Sequence, residues 1–123
     1  MSKRILIIED QEDNRTIMRD VLSAAGYALI EATDGEEGVK LAVSERPGLI
    51  LMDIQLPVLD GYEATRRIRA IAELAATPII AVTSYALSGD EARIRAAGCT
   101  AYIAKPFSPR DLLAKVRELL PNA

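Results

Sequence analysis

The stretch LILMDIQLP, residues 49–57, decides how the rest of the chain must be arranged. An apolar run suited to burial ends on the carboxylate of Asp53, and a loop containing a proline follows almost at once. Continuous apolar runs of this length are typical of strands buried on both faces of a parallel sheet. The pattern therefore predicts a central strand that places an acid at one edge of the sheet.

Similar apolar runs recur along the chain, with room for a helix after each one. We predict strands at residues 5–8, 28–32, 49–52, 79–82 and 101–104. The segments between them, and the segment after the last, carry apolar residues at helical spacing. This alternation predicts an α/β fold, a (βα)5 doubly wound parallel sheet with right-handed crossovers and helices on both faces. The length fits a single domain, residues 1–123, with no output domain.

Capping residues mark several helix boundaries. Residues 34–37 have the spacing of a capping box, and a Ser-Pro pair at 108–109 places proline at the first helical position. The fourth helix has two candidate caps, Ser84 and Ser88. Two glycines stand where helices are expected to end in a left-handed backbone conformation, Gly26 and Gly98.

The charge balance and the missing residue types exclude several classes of protein. Fifteen basic and eighteen acidic residues give a formal net charge of -3, which offers nucleic acid or an anionic membrane no overall attraction. The chain has no histidine, so catalytic triads and zinc sites of the usual kinds are not expected. No run approaches the ~20 apolar residues that span a bilayer, and no secretory signal opens the chain. We expect a cytoplasmic protein, a monomer or a weak dimer.

Two smaller features have ordinary structural explanations. The densest basic cluster comprises Arg66, Arg67 and Arg69, and helical spacing predicts that it is a solvated helix face. The single cysteine, Cys99, follows small residues and cannot form a disulfide within the chain. We expect it to fill a tight packing site rather than to react.

Polar residues stand at the carboxyl ends of the predicted strands, where open parallel sheets form their sites. These residues are Glu9, Asp10, Asp53, Thr83 and Lys105. Converging carboxylates repel one another unless a cation is present, and a few acids with room for water suit Mg²⁺. A carboxylate can also attack phosphorus to form an aspartyl phosphate. Asp53 is the expected nucleophile because it stands alone, whereas Glu9 and Asp10 form a pair suited to holding metal.

With these residues placed, the chain resembles response-regulator receiver domains of the CheY-like family from end to end. The family's motif residues match Glu9, Asp10, Asp53, Thr83, Tyr102 and Lys105, the last within AKPF. The stretches EDQEDNR, MDIQLPVLDGYEATRRIR and GDEARIRAAGCTAYIAKPFS resemble more closely the stand-alone regulators of the DivK type and the receiver modules of hybrid kinases. The resemblance implies a flavodoxin-like sheet with strand order 2-1-3-4-5.

The resemblance also implies a metal site. Asp10 and Asp53 would bind Mg²⁺ directly, together with the backbone carbonyl of Gln55. Glu9 stands where the family more often has aspartate, and it would act mainly through water.

Lys105 would place a positive charge on an oxygen of the phosphoryl group, and the Thr83 hydroxyl or the amide after it could bond another. Thr83 and Tyr102 are also implied to work as a switch. Phosphorylated Asp53 would draw Thr83 inward, and Tyr102 would rotate into the vacated space. Residues Gln55 and Tyr85 would tune dephosphorylation. The peptide bond between Lys105 and Pro106 would be cis.

These roles imply a regulator of two-component phosphorelays rather than an enzyme. A histidine kinase or histidine phosphotransfer protein would donate the phosphoryl group and dock on the first helix, near Asn14, Arg15 and Met18. The phosphorylated chain would then bind a downstream protein through the fourth helix, fifth strand and fifth helix.

Two other classes are compatible with parts of the pattern. A Mg²⁺-dependent phosphohydrolase of the haloacid-dehalogenase-like type also uses an aspartyl nucleophile, but it carries a second aspartate two residues later, where this chain has Gln55. A flavodoxin-like cofactor carrier needs hydroxyls, glycines and backbone amides after the first strand. Here EDQEDN places four acids in that loop.

Overall fold

The computed structural model describes residues 3–84 and 90–121. Strands and helices alternate throughout these residues. The strands are β1 (Arg4–Ile8), β2 (Ala28–Ala32), β3 (Leu49–Asp53), β4 (Ile79–Thr83) and β5 (Ala101–Ala104). The α-helices are α1 (Glu12–Ala24), α2 (Gly35–Glu45), α3 (Gly61–Arg69), α4 (Asp90–Ala97) and α5 (Pro109–Leu119). A short 3-10 helix, Ala72–Leu74, precedes β4 and was not predicted.

The strands form one parallel sheet in the order β2-β1-β3-β4-β5. This confirms the predicted fold class and strand order. Ile8 pairs with Met52, and Asp53 pairs with Val82. Because neighbouring strands end at nearly the same level, the residues that follow β1, β3 and β4 lie at one edge. The chain direction across the sheet reverses between β1 and β3, which is where such folds place their sites.

Two apolar layers cover the sheet, one on each face. The helices α2, α3 and α4 pack against one face, where Leu6, Ile50 and Ile68 are buried. The helices α1 and α5 pack against the other face, where Met18 and Val116 are buried. All five residues of β3 and of β4 are buried, which explains why these strands read as continuous apolar runs.

The helix starts follow the predicted caps and add one more. The Asp34 side chain accepts from the Glu37 amide at 2.8 Å, and Ser108 accepts from the amide of Asp111 at 3.0 Å. Asp60 caps α3 in the same way, accepting from the Glu63 amide at 3.0 Å. The spacing of Asp60 and Glu63 repeats the capping-box signal, so the sequence carried this cap although it was not predicted.

Both glycines that were expected to end helices have a left-handed backbone, with φ of 96° at Gly26 and 112° at Gly98. Of the two candidate caps for α4, Ser88 lies outside the described residues. Ser84 lies in the turn directly after β4.

The basic cluster on α3 is only partly the solvated face that was predicted. Arg66 and Arg67 are exposed and pair with Glu63. Arg69 instead turns inward, since its guanidinium donates to the carbonyl oxygens of Gly98, Leu74 and Thr77 and to the hydroxyl of Thr100. The prediction was wrong for Arg69 because the loops before β4 and β5 present several oxygen acceptors within reach of one guanidinium.

Cys99 occupies a packing site, as predicted. It is buried, and its sulfur lies 3.8 Å from the Thr65 hydroxyl oxygen. Burial raises the pKa of the thiol, which keeps it in the unreactive protonated form. Among the helices of the described residues, none has the length and apolar character needed to cross a membrane.

Candidate functional site

The carboxyl edge of the sheet brings together the polar residues that the sequence placed at strand ends. Glu9 and Asp10 follow β1, Asp53 ends β3, Thr83 ends β4 and Lys105 follows β5. Glu9, Asp53 and Thr83 are all buried, although they are polar. Buried polar side chains are costly unless paired, so their convergence here marks the edge as the candidate site.

Glu9 has no exposed surface and is only partly hydrogen-bonded. Its Oε2 accepts from the Gln11 amide at 3.1 Å, whereas Oε1 accepts no hydrogen bond from any described residue. Burial raises the pKa of Glu9 from 4.5 to about 7, and the adjacent Asp53 carboxyl adds to the increase. The Gln11 amide and the Lys105 ammonium oppose that increase. Glu9 therefore holds its proton more tightly than an ordinary glutamate.

Asp53 is also nearly fully buried, with 2% of its surface exposed. Its Oδ1 accepts from the Gln55 amide at 3.0 Å. Its Oδ2 accepts no hydrogen bond of good geometry from the described residues. Asp53 therefore presents one fixed oxygen and one oxygen available to another group.

Lys105 is the cation of the site. Its Nζ lies 3.1 Å from Asp53 Oδ2 and 3.4 Å from Glu9 Oε1. These are ion-pair distances, although neither oxygen receives a well-aligned hydrogen bond from the ammonium. The peptide bond from Lys105 to Pro106 is cis, which agrees with the expectation from the resemblance.

The three carboxyl groups can surround a metal ion. Glu9, Asp10 and Asp53 each offer an oxygen, and these oxygens all lie within 4.8 Å of one another. Asp10 is exposed, so one side of the cluster is open to water. Hard oxygen ligands and an open side fit Mg²⁺, which keeps several waters when it binds. The two buried oxygens that lack hydrogen bonds give the same indication, because a cation would satisfy both.

Thr83 is connected to the acidic cluster through Gln55. The Gln55 side-chain amide donates to Thr83 Oγ1 at 3.2 Å, while its backbone amide binds Asp53. Gln55 therefore contacts the candidate phosphoacceptor and the candidate switch hydroxyl at once. Tyr85, the other position expected to tune dephosphorylation, lies outside the described residues.

Tyr102 lies on β5, away from the acidic cluster. Its ring packs against the core layer beneath α4, and its hydroxyl donates to Glu91 Oε1 at 2.7 Å. The structure thus places the phenol at the surface, next to the first turn of α4.

The structure corrects part of the prediction that α1 offers docking residues. Met18 is 1% exposed and belongs to the core layer under α1, so it cannot contact a partner. Arg15 donates to the carbonyl oxygens of Glu9 and Asp10 and so supports the acidic loop. Helical periodicity gave no indication of the burial of Met18 or of the contacts of Arg15 with the loop before α1.

A cavity of about 260 Å³ lies beside the site, between α1 and the loop that follows β5. Its lining residues are Asn14, Ile17, Ser84, Lys105, Pro106 and Phe107. Ile17 is 41% exposed, which is high for an isoleucine on a helix that packs against the sheet. This cavity reaches Lys105, so it joins the surface of α1 to the acidic site.

Gly61 is a site-forming residue that the sequence analysis did not identify. A Cβ atom at this position would lie 2.4 Å from the Asp53 carbonyl oxygen, closer than any real contact. The absence of a side chain lets the start of α3 approach the end of β3, where the Gly61 amide binds the Ile54 carbonyl at 3.0 Å. The Asp-Gly pair at 60–61, a common turn signal, was the available indication.

Comparison with known proteins points to one family. A family model described as the response regulator receiver domain matches residues 5–117. The polar-differentiation response regulator DivK of Brucella anthropi is 45% identical over 123 residues, which cover 100% of both chains. The DivK protein of Brucella ovis is 44% identical over the same coverage.

Solved structures with the same fold include two informative relatives. The receiver domain of a sensor histidine kinase from Pseudomonas aeruginosa, described with a magnesium ion coordinated in the active site cleft, is 40% identical. It aligns with a TM-score of 0.90 over 98% of each chain. The chemotaxis response regulator CheY4 of Vibrio cholerae aligns with a TM-score of 0.92 at 28% identity, over 98% of this chain and 100% of that one.

Proposed function

The chain belongs to the response regulator receiver domain family, and from that premise we propose that it is a phosphoacceptor switch in which Asp53 receives the phosphoryl group. The observation that carries the proposal is the Asp53 carboxylate itself. It is buried, one oxygen lacks a hydrogen bond from the described residues, and Lys105 Nζ lies 3.1 Å away. This arrangement leaves an oxygen free to act as a nucleophile beside a positive charge.

Mg²⁺ is the proposed cofactor. Asp10 and Asp53 would bind it directly with the backbone carbonyl of Gln55, and Glu9 would contribute mainly through water. The support is the carboxyl cluster, with its two buried oxygens that lack hydrogen bonds, and the magnesium described for the Pseudomonas receiver domain. When bound, the ion supplies positive charge to the oxygens of the transferring phosphoryl group.

The proposed reaction moves a phosphoryl group from a phosphohistidine to Asp53. A carboxylate oxygen of Asp53 bonds to phosphorus while the bond from phosphorus to the imidazole nitrogen breaks, and the imidazole keeps the electron pair. The ammonium of Lys105 then faces a phosphoryl oxygen in place of carboxylate Oδ2, and the Thr83 hydroxyl donates to another oxygen. Both groups stabilise charge that increases in the transition state.

We propose that the donor, a histidine kinase or histidine phosphotransfer protein, docks over the cavity beside α1. Asn14 and the partly exposed Ile17 offer one polar and one apolar contact there, and the cavity leads to Lys105. Met18 is excluded from this surface by its burial.

The proposed output is contact with another protein. Phosphorylation of Asp53 would reposition Thr83 and Tyr102 and so remodel the surface formed by α4, β5 and α5. The support for a stand-alone regulator is the match to DivK proteins over their whole length. In this proposal the chain catalyses only steps of its own phosphorylation and dephosphorylation.

Labelling with a small acyl phosphate, with and without Mg²⁺, tests the proposal on wild type and Asp53→Asn. We expect a phosphoryl adduct on wild type that requires Mg²⁺, and no stable adduct on the variant. Equal labelling of the variant, or equal labelling without metal, would contradict it. Continued turnover of a phosphate monoester by wild type would support a phosphohydrolase instead.

A further inference from the structure

The surface hydroxyl of Tyr102 is held by a side chain of the neighbouring helix α4. Glu91, in the first turn of α4, accepts the phenol hydrogen at Oε1, with 2.7 Å between the oxygens. The bond joins α4 to β5 across the surface proposed for output. Hydrogen bonds to a charged acceptor are shorter and stronger than neutral ones.

The Glu91 carboxylate is itself held in place from its other side. Its Oε2 lies 3.6 Å from Arg95 Nε, one helical turn further along α4. The ion pair engages Oε2 and leaves Oε1 to the Tyr102 hydroxyl. The hydrogen bond to Glu91 also raises the pKa of the Tyr102 phenol, so the phenol remains protonated and able to donate.

We propose that Glu91 is a positioning residue that keeps Tyr102 outward and thereby limits signalling by the unphosphorylated chain. The inference rests on the proposed function, in which Tyr102 rotates inward after Asp53 is phosphorylated. Inward rotation must break the bond to Glu91, so this bond stabilises only the outward arrangement. An interaction made in one of two conformations shifts the equilibrium by its full free energy.

Gln55 restrains the other end of the same switch. It donates to Thr83 Oγ1, whereas Glu91 accepts from Tyr102. The two contacts differ in one useful respect. Gln55 also binds Asp53, whereas the contacts of Glu91 among the described residues are with Tyr102 and Arg95. A change at Glu91 can therefore alter the switch without altering the phosphoacceptor chemistry.

Backbone amide NMR of residues 90–97 and 101–104 tests the inference in the full chain. Wild type is measured before and after labelling with an acyl phosphate and Mg²⁺. The line between its two sets of amide chemical shifts defines the path from the inactive to the active form. Unlabelled Glu91→Ala is expected to move along that path, with about a fivefold rise in the ratio of active to inactive forms. Glu91→Gln, which keeps a neutral acceptor, should move less.

Three further variants separate the hydrogen bond from other effects of the substitution. Glu118→Ala removes an exposed acid on another helix and should leave the amide shifts of β5 unchanged. Arg95→Ala removes only the ion pair and should cause a smaller movement than Glu91→Ala. The double variant Tyr102→Phe with Glu91→Ala should move no further along the shift path than either single variant, because both substitutions remove the same hydrogen bond.

The possible outcomes distinguish the inference from the function on which it rests. If wild type acquires no label, the proposed function fails. If wild type labels and shifts while Glu91→Ala stays at the inactive position, or moves off the path, the inference is wrong and the proposed function stands. Movement along the path, with a labelling rate equal to that of wild type, supports the inference.

Discussion

Two groups of inward-facing ionisable side chains lie at opposite edges of the same sheet, and they differ in how fully their polar atoms are hydrogen-bonded. At the carboxyl edge, Glu9 and Asp53 each keep a buried oxygen without a hydrogen bond from the described residues. At the amino edge, the Arg69 guanidinium donates to four acceptors around the starts of β4 and β5. The first group contains acceptors that can still bind another group, whereas the donors of the second group are engaged in hydrogen bonds.

This difference separates function from stability within one fold. A buried polar group that is fully bonded fixes the structure around it, and its removal leaves buried partners unsatisfied. A buried carboxyl group with an unbonded oxygen can bind a ligand, but it lowers the stability of the protein when no ligand is bound. Each of the following experiments tests whether a residue serves stability or function according to its hydrogen bonds rather than its position in the sheet.

The largest effect on folding is expected at Arg69. Arg69→Met keeps much of the side-chain volume but removes one donor from each of four acceptors. Leu74 O and Thr100 Oγ1 keep a backbone amide donor, from Thr77 and Ile79, so the loss falls mainly on the carbonyl oxygens of Gly98 and Thr77. We expect the free energy of unfolding to fall by about 3 kcal/mol in urea titrations, with acyl phosphate labelling of the folded protein unchanged. The control is Arg67→Met on the exposed face of α3, expected within about 0.5 kcal/mol of wild type. Equal effects of both variants would refute the role given to Arg69.

Lys105→Met should show the opposite pattern, with a large effect on labelling and a small one on the free energy of unfolding. Loss of the ammonium beside Asp53 removes positive charge where the phosphoryl group forms its bond, so the labelling rate should fall about 100-fold. Lys115→Met, at a partly exposed position on α5, serves as the control and should label like wild type. A Lys105 variant that labels at the wild-type rate would show that the ammonium has only a structural role.

Glu9 is expected to make stability depend on pH when no metal is bound. Its folded pKa of about 7 exceeds the ordinary value of 4.5, so the folded protein binds this proton more tightly than the unfolded chain. The resulting stability is present below pH 4.5 and is lost as the pH rises through 7. Urea unfolding with a metal chelator should show this decline in wild type and a smaller one in Glu9→Gln. Parallel curves for the two proteins would disprove it.

The smallest effect is expected at Asp60. This residue lies near the functional edge, but its side chain already accepts a hydrogen bond from the Glu63 amide. Asp60→Ala removes the cap of α3 and should cost about 1 kcal/mol of unfolding free energy. The labelling rate should remain that of wild type, although Gly61 beside it contacts the backbone of Asp53. Ser108→Ala, at the start of α5, is the matched cap. A loss of labelling in either variant would mean that location also matters.

Most of the fold could be predicted from local pattern. The apolar runs at β1, β3 and β4 differ from the predicted strands by no more than one residue at either end. Parallel strands buried on both faces need continuous apolar sequence, and this signal is strong because few other structures require it. The 3-10 helix at Ala72–Leu74 escaped prediction because three residues are too few for a periodic pattern.

The site was predictable as a set of residues and less so as a set of contacts. Strand ends placed Glu9, Asp53 and Lys105 together, as the structure shows. The contact of Glu91 with Tyr102 was not predictable, because it joins α4 to β5, whose relative position no local pattern specifies. The contact of Arg15 with the loop before α1 depends on the conformation of that loop, which apolar periodicity does not report. Met18 was misplaced because its burial depends on how α1 is rotated against the sheet.

The sequence by itself determined the strand and helix order, the parallel sheet and the identity of the acids at its carboxyl edge. These depend on periodicity and on the handedness of crossovers, which act over short stretches of chain. Only the tertiary structure decided which oxygens stay unbonded, that Arg69 turns inward and that Tyr102 meets Glu91. Those outcomes depend on distances between residues far apart in the chain, and packing sets such distances only after the whole domain has folded.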